Sequence, residues 1–210
     1  MNKKQKQNLN KNLNKNLNKN RIKTEFRLYY DRGDLPIRID HSKTIGNRVK
    51  WLQKFDEMDF DFLLPVFFDG IREKQIPYSI LAVDGLNDLL DEGGNQIVSI
   101  VPKLINPIKA AMNTQDLDII TKTLNLLQKL ILSAEGVGEI IVQQYSKKLL
   151  SVFNILKIKN KNLGDSIEYS QNKRKNVADL VQETLELMEL YGGQDSYKKI
   201  KYMIPTYNSI

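Results

Sequence analysis

A short proline motif recurs in the apolar part of the chain and constrains the fold more than any other feature. Leu63-Leu64-Pro65-Val66 is followed 37 residues later by Ile100-Val101-Pro102-Lys103-Leu104. Between the two motifs, apolar runs of helical length are interrupted by Pro77 and end at Gly93-Gly94. A period of about 40 residues with two helices per repeat is typical of stacked helical hairpins. The pattern therefore predicts an all-α protein, an armadillo/HEAT-like α-solenoid of about three helical hairpins.

Composition narrows the class of protein further. The 210 residues, 41% of them hydrophobic, can fill the core of one domain. The lack of cysteine excludes disulfides, a thiolate nucleophile and cysteine-built metal sites. No apolar run approaches the roughly twenty residues that span a bilayer, and the N-terminus has no secretory h-region. We expect a soluble cytosolic or nuclear protein whose solenoid surface binds partners.

The net charge of +7 is concentrated at the N-terminus. Residues 1–25 contain eight Lys or Arg and one acid, so residues 26–210 are electrically neutral as a group. We therefore divide the chain into a low-complexity basic tail, residues 1–25, and a single α-solenoid domain, residues 26–210. The candidate partner-binding residues of the tail are Lys11, Lys15, Lys19, Arg21 and Lys23.

The tail contains a four-residue repeat, NLNKNLNKNLNKN, at residues 8–20. Asparagine is a weak helix former because its amide competes for backbone hydrogen bonds. One leucine in four residues buries too little apolar surface to offset the entropy of ordering, so the isolated tail is predicted to be disordered. The regular spacing of Leu and Lys favours ordering in a groove on an acidic partner, and a merely solvated extension is the alternative.

The rest of the chain divides into a small hairpin and a series of helices. Alternating apolar and polar residues predict a β-hairpin over about residues 36–52, with Trp51 and Phe55 covering that end of the helical stack. Helices are predicted between about residues 59 and 203. Their expected ranges are about 59–74, 77–93, 96–112, 114–133, 137–157 and 170–191, followed by a short helix that carries Lys198, Lys199 and Lys201.

Several helix boundaries follow from individual residues. Asp59 or Asp61 is expected to cap the first of these helices, and Thr114 the fourth. A glycine of the pair Gly93-Gly94 is expected to take the left-handed conformation after the second helix. Pro102 and Pro107 are expected to kink or restart the third.

No catalytic constellation is recognisable in the sequence. His41 is the only histidine, so neither a Ser-His-Asp triad nor a multi-histidine metal site can be built. The glycine pairs follow predicted helices, whereas a phosphate-binding loop precedes one. We expect no enzymatic activity, no catalytic residue, no metal and no cofactor.

Two further basic groups are candidates for binding a partner with an acidic surface. Lys173, Arg174 and Lys175 are predicted in the first turns of a helix whose far end carries Glu183, Glu186 and Glu189, an order that opposes the helix dipole. A basic end that faces an acidic partner would explain this order, and a solvated charge run is the alternative. The second group is Lys198, Lys199 and Lys201 in the short last helix.

Six short motifs of uncommon sequence follow one another between about residues 26 and 207. They are residues 26–37 (FRLYYDRGDLPI), 64–70 (LPVFFDG), 92–95 (EGGN), 133–138 (SAEGVG), 165–174 (DSIEYSQNKR) and 182–186 (QETLE). In these motifs and in their order, the chain resembles the parkin co-regulated gene protein family. The resemblance does not include the NLNK repeat, so any contact of the tail is inferred from its charge and spacing.

The resemblance implies an armadillo/HEAT-like fold and a structural role in the axoneme of cilia and flagella. Members of that family lie at the inner junction of the doublet microtubule, where the B-tubule closes onto the A-tubule. They contact α/β-tubulin and alternate with a small β-rich inner-junction cilia- and flagella-associated protein; other microtubule inner proteins are further candidate partners. No enzymatic activity, cofactor, nucleic acid or membrane is implied, and the implied location is the cytoskeleton of the cytoplasm and the axoneme.

Two other functions remain open on the sequence. An α-solenoid adaptor for soluble partners would have the same pattern of helices. A nucleic-acid-associated protein could use the basic tail, although the neutral body and the lack of an aromatic and arginine platform disfavour it.

Overall fold

The computed structural model describes residues 24–40, 49–161 and 177–209, with the backbone alone for residues 154–161. In this part of the chain there are eight α-helices, one two-stranded antiparallel sheet and one turn of 3₁₀ helix, Phe55–Glu57. The elements are α1 (Glu25–Arg32), β1 (Ile37–Ile39), β2 (Val49–Trp51), α2 (Phe60–Gly70), α3 (Tyr78–Glu92), α4 (Gln96–Met112), α5 (Leu117–Ser133), α6 (Val137–Lys161), α7 (Val177–Tyr191) and α8 (Ser196–Met203). A mostly helical body with a short hairpin is thus confirmed.

The helices contact one another in a regular order. Helix α2 packs on α3, α4 on α5, and α6 on α7. In addition, α2, α4, α6 and α8 contact in succession, as do α3, α5 and α7. A single hydrophobic core runs through all of these contacts, from Phe26 in α1 to Tyr207 beyond α8.

The first helix, α1, is absent from the elements predicted above. The side chain of Thr24 caps it by accepting a hydrogen bond from the backbone N–H of Arg27 at 3.1 Å, and Gly33 ends it with a φ of 79°. Thr24 is itself buried. Thr24 and Glu25 therefore belong to the folded body, which begins ahead of the boundary expected after residue 25.

Buried contacts to α2 hold α1 in place. The Phe26 ring packs edge-on against Phe67 with 4.9 Å between centroids, and a Cβ on Gly70 would lie only 2.6 Å from that ring. The Thr24 hydroxyl donates a 2.6 Å hydrogen bond to Glu73, a carboxylate that is 5% exposed and lies 3.7 Å from the Arg27 guanidinium. The absence of a side chain at position 70 thus lets α1 approach α2 closely.

The predicted hairpin is confirmed, with Ile37 opposite Trp51 and Ile39 opposite Val49. The loop expected between the strands, which contains His41, lies outside the described residues. Trp51 also covers the helices as expected. Its ring stacks over Phe67 at 5.8 Å, and its indole N–H donates a 2.8 Å hydrogen bond to Asp88 of α3.

Most of the expected helix boundaries agree with the structure. Asp59 caps α2 by accepting a hydrogen bond from the N–H of Phe62 at 3.2 Å, and Pro77 directly precedes α3. Gly94 has a φ of 50° after α3, in the left-handed region expected for one of the two glycines. Helix α4 runs from Gln96 to Met112 as one element, with Pro102 and Pro107 both inside it.

Three boundaries differ from the expectation. Helix α2 ends at Gly70, short of about residue 74, and α6 continues to Lys161, past about residue 157. The cap of α5 is Asp116, which accepts hydrogen bonds from the N–H groups of Asp118 and Ile119, so the assignment to Thr114 is wrong. The Thr114 hydroxyl instead donates to the carbonyl of Ala111 and closes the end of α4.

Helix α5 is buried along a broad apolar face. Seven of its apolar residues are at most 2% exposed: Ile119, Ile120, Leu124, Leu126, Leu127, Leu130 and Ile131. Leu117 is 54% exposed because it is the first residue of the helix, directly after the cap.

Candidate functional site

Side chains that could carry chemistry are scattered over the folded body. Among the described residues, no group of three or more His, Cys, Asp or Glu side chains is placed to hold a metal ion. In the same residues, no helix combines the length and hydrophobicity that crossing a membrane requires. The surface of the body has grooves and cavities that could bind a partner.

One of these features is a groove of about 840 Å³ at the C-terminal end, between α7, α8 and the residues that follow α8. We call it the C-terminal groove. Its charged lining residues are four carboxylates and one lysine: Glu183, Glu186, Glu189, Asp195 and Lys198. Between them lie the apolar side chains of Leu187, Leu190 and Tyr197. The groove thus combines a net negative charge with an apolar surface.

A tight turn between α7 and α8 creates the groove. Gly193 has a φ of 75° and Asp195 a φ of 60°, so two residues of this turn are in the left-handed region. A Cβ on Gly192 would lie 2.2 Å from the carbonyl oxygen of Met188. The turn is fastened by Ser196, whose hydroxyl donates a 2.7 Å hydrogen bond to the carbonyl oxygen of Glu189.

The floor of the groove is built around Tyr207, which is completely buried. Its hydroxyl donates a 2.6 Å hydrogen bond to Glu189, and the same carboxylate accepts a 2.7 Å bond from the Ser209 hydroxyl. Burial, together with the neighbouring Glu189 carboxylate, raises the pKa of Tyr207 above its ordinary value. Tyr207 is therefore a neutral hydrogen-bond donor at physiological pH and anchors the C-terminal segment to α7.

The three candidate lysines of the last helix point to three different places. Lys198 lies on the groove, where its ammonium is 2.7 Å from Asp195 and lowers the pKa of that carboxyl. Lys199 donates a hydrogen bond to Gln143 of α6. Lys201 donates to the carbonyl of Tyr207 at 2.5 Å and to the Asn208 side chain at 3.2 Å. They do not form one basic patch, and Lys198, whose side chain is 79% exposed, is the one that projects into solvent.

On the other side of α8, a smaller cavity of about 400 Å³ lies between α8 and α6. Its charged lining residues are Lys147 and Lys199, accompanied by Tyr202, which is 81% exposed. Lys147 was not among the sequence candidates. One face of α8 thus borders a negative groove and the other borders a positive cavity.

The remaining candidate residues lie outside the described residues. These are Lys11, Lys15, Lys19, Arg21 and Lys23 of the tail, and Lys173, Arg174 and Lys175 ahead of α7. Their roles stay predictions from the sequence.

In the sequence, the carboxylates of α7 are recognisable only as charges that oppose the helix dipole. Their spacing of three residues, at positions 183, 186 and 189, places them along one side of the helix, and this spacing is the signal that could have identified the groove. The contributions of Asp195 and Tyr207 depend on the turn and on the return of the chain after α8, which have no comparable local signal.

Comparison with known proteins relates the chain to one family. A family model described as "Parkin co-regulated protein" matches residues 24–209. The "Parkin coregulated gene protein homolog" of Mus musculus is 47% identical over 186 residues, which are 89% of this chain and 76% of the mouse protein. The family match begins at the cap of α1 and covers every helix and strand described above.

Proposed function

Because the chain belongs to the parkin co-regulated protein family, we propose that it is a structural microtubule-associated protein of the ciliary axoneme. In this role it bridges the A- and B-tubules at the doublet inner junction. It binds tubulin on one side and a small β-rich inner-junction cilia- and flagella-associated protein on the other. The observation that carries the proposal is the family match over the whole folded body, residues 24–209.

The fold proposed for this role is an armadillo/HEAT-like α-solenoid. The successive contacts of α2, α4, α6 and α8, and those of α3, α5 and α7, support it, because stacked hairpins place alternate helices side by side. One continuous core joins these helices. Such a body suits a spacer, since its two ends are held at a fixed separation by packed side chains.

The proposed role requires neither catalysis nor a cofactor. A junction protein acts by lasting contact, and its contribution is shape and complementary charge. The proposed location is accordingly the cytoskeleton, within the axoneme of a cilium or flagellum.

Charge supplies the proposed attraction to tubulin, whose surface is acidic. The net charge of +7 equals the excess of basic residues in positions 1–25, so the tail carries the long-range attraction. In the described part of the chain, Lys147 and Lys199 beside the smaller cavity are basic groups that an acidic partner could contact at short range.

Cosedimentation with purified microtubules, without added nucleotide, tests the proposal. The full chain is expected to pellet, and its affinity is expected to fall as salt is raised, because exposed charges are screened beyond about 8–10 Å at physiological ionic strength. A variant with Lys11, Lys15 and Lys19 changed to Gln keeps the length of the tail and should bind more weakly, with a flatter dependence on salt. Failure of the full chain to pellet, alone and with the β-rich partner, would contradict the proposal.

A further inference from the structure

The C-terminal groove has the chemistry of a site for a peptide that is both basic and apolar. Leu190 is 74% exposed and Tyr197 is 40% exposed, so apolar surface is available at the rim. Four carboxylates and one lysine line the same groove, which gives it a net negative charge. Exposed apolar surface rimmed by charge is typical of an interaction site, and a partner with leucine and lysine side chains would complement it.

The chain itself contains a segment of this chemistry. In the repeat of residues 8–20, every leucine and every lysine occupies an odd-numbered position and every asparagine an even-numbered one. Successive side chains of an extended strand point to opposite faces. An extended NLNK segment would therefore present alternating Leu and Lys on one face, with about 6.6–6.8 Å between neighbours, and only Asn on the other.

The length of the tail decides which part of the repeat can reach the groove. Thr24 lies at the end of α1 that packs on α2, and the groove adjoins α8, at the other end of the series α2, α4, α6 and α8. Packed helices are about 8–10 Å apart, and four such steps lead from α1 through α2, α4 and α6 to α8, so the groove is roughly 32–40 Å from Thr24. Leu9 is fifteen residues from Thr24 and can extend about 50 Å, whereas Leu17 is seven residues away and can extend only about 25 Å.

We propose that the C-terminal groove binds the N-terminal half of the NLNK repeat, around Leu9 to Leu13, of the same chain. The leucines contact Leu187, Leu190 and Tyr197, and the lysines face the carboxylates of α7 and Asp195. The contact is a property of the isolated protein and does not depend on microtubules. It also bears on the proposed function. Lysines held in the groove cannot bind the acidic surface of tubulin, so the C-terminal groove and tubulin compete for the same tail.

Disulfide trapping in the full chain tests the contact, since the protein has no cysteine of its own. The variant pair Leu9→Cys and Leu190→Cys brings two thiols together if the tail occupies the groove. Under mild oxidation, this pair is expected to form a disulfide at least about tenfold faster than the pair Leu17→Cys and Leu190→Cys, because docking raises the effective concentration of position 9 at the groove, whereas position 17 cannot reach it. The two pairs share the same repeat context and differ in reach.

Two further variants separate docking from random collision. Adding Glu186→Lys to the Leu9 pair should slow disulfide formation about fivefold or more, because it replaces attraction of the tail by repulsion. Adding Glu92→Lys, at an exposed position at the end of α3, changes the net charge equally and should leave the rate unchanged. A Leu9 pair that is unaffected by Glu186→Lys would overturn the proposal even if the disulfide forms.

The product distinguishes the source of the tail. A monomer with an internal disulfide on a non-reducing gel is the expected result. A disulfide-linked dimer would overturn docking within one chain and assign the groove to the tail of a second copy. Equal rates for the Leu9 and Leu17 pairs would show that the tail does not occupy the groove.

Discussion

The two ends of the folded body differ in how far the chain covers them. At the N-terminal end, α1 and the hairpin cover α2 and α3 with aromatic rings, and a buried carboxylate beneath them is fully engaged by Thr24 and Arg27. At the C-terminal end, the last helices leave a groove with carboxylates on its walls and with Leu190 exposed at its rim. The comparison indicates that the chain covers its first helices itself, whereas the surface around its last helices is shaped to be covered by another segment or partner.

The aromatic packing explains why the N-terminal end is closed. Phe67 of α2 contacts both Phe26 of α1 and Trp51 of the hairpin, so one ring joins three elements. Tyr30 and Tyr78 extend this cluster, with their ring centroids 5.6 Å apart. At the C-terminal end, Tyr197 and Tyr207 are 6.3 Å apart, and Tyr197 remains partly exposed.

The largest difference between the ends is expected on removing a ring. Phe67→Ala should reduce the free energy of unfolding by about 3–5 kcal/mol, because it leaves a cavity between α1, the hairpin and α2. Leu190→Ala, at the rim of the groove, should change it by less than about 0.5 kcal/mol. Urea unfolding of both variants measures the two values. Similar losses in the free energy of unfolding would contradict the difference between the two ends.

The next largest effect is expected on removing a polar contact that holds α1 at the N-terminal end. Thr24→Val should destabilise the body by about 1–3 kcal/mol, because the hydroxyl both caps α1 and donates to the buried Glu73. Ser209→Ala removes one hydrogen bond to Glu189 at the C-terminal end and should have a smaller effect of about 0.5–1 kcal/mol. The reverse order of the two effects in urea unfolding would mean that the C-terminal end is the more firmly held.

These two ends also differ in how much the sequence predicts. The hairpin, the Asp59 cap and the range of α4 follow from local patterns, because each depends on residues close together in the chain. Helix α1 could not be predicted in this way. Its sequence, EFRLYYDR, has one buried residue, Phe26, and its stabilising partners lie more than forty residues away at Phe67 and Glu73.

The candidate site was predictable only in part. The carboxylates of α7 were visible in the sequence, but the groove also requires the left-handed turn at Asp195 and the bond from Tyr207 to Glu189. The last helix shows the same limit. Its lysines lie within four residues of sequence, yet Lys199 and Lys201 make internal hydrogen bonds, because neighbouring residues of a helix point in different directions.

A moderate effect is expected at the floor of the groove. Tyr207→Phe should reduce the free energy of unfolding by about 1 kcal/mol at neutral pH, because it removes the hydroxyl that donates to Glu189. Tyr202→Phe, at a position 81% exposed, is the matched control and should have no effect.

The same tyrosine predicts a dependence on alkaline pH. The pKa of Tyr207 is raised in the folded state, so the unfolded chain loses this proton first, near the ordinary value of 10.0. The stability that Tyr207 contributes is therefore fully present below about pH 10 and declines as the pH rises further. Wild-type protein should lose stability above that pH more steeply than Tyr207→Phe, and parallel curves would contradict the assignment.

The smallest effects are expected from the lysines of α8. Lys198→Gln should leave the free energy of unfolding unchanged within error, because its exposed pair with Asp195 is solvated. Lys201→Gln should reduce it by about 0.5–1 kcal/mol, since Lys201 ties the carbonyl of Tyr207 to α8. Equal effects would mean that the two lysines are equivalent surface charges.

The most direct test of the proposed role is the location of the protein in a ciliated cell. With the endogenous protein tagged, axonemes are isolated, extracted with detergent, and imaged by subtomogram averaging of the doublets. The proposal predicts that the tag is retained after extraction and maps to the inner junction, where the B-tubule meets the A-tubule. A tag that is lost on extraction, lies in the nucleus, or maps elsewhere on the doublet would contradict it.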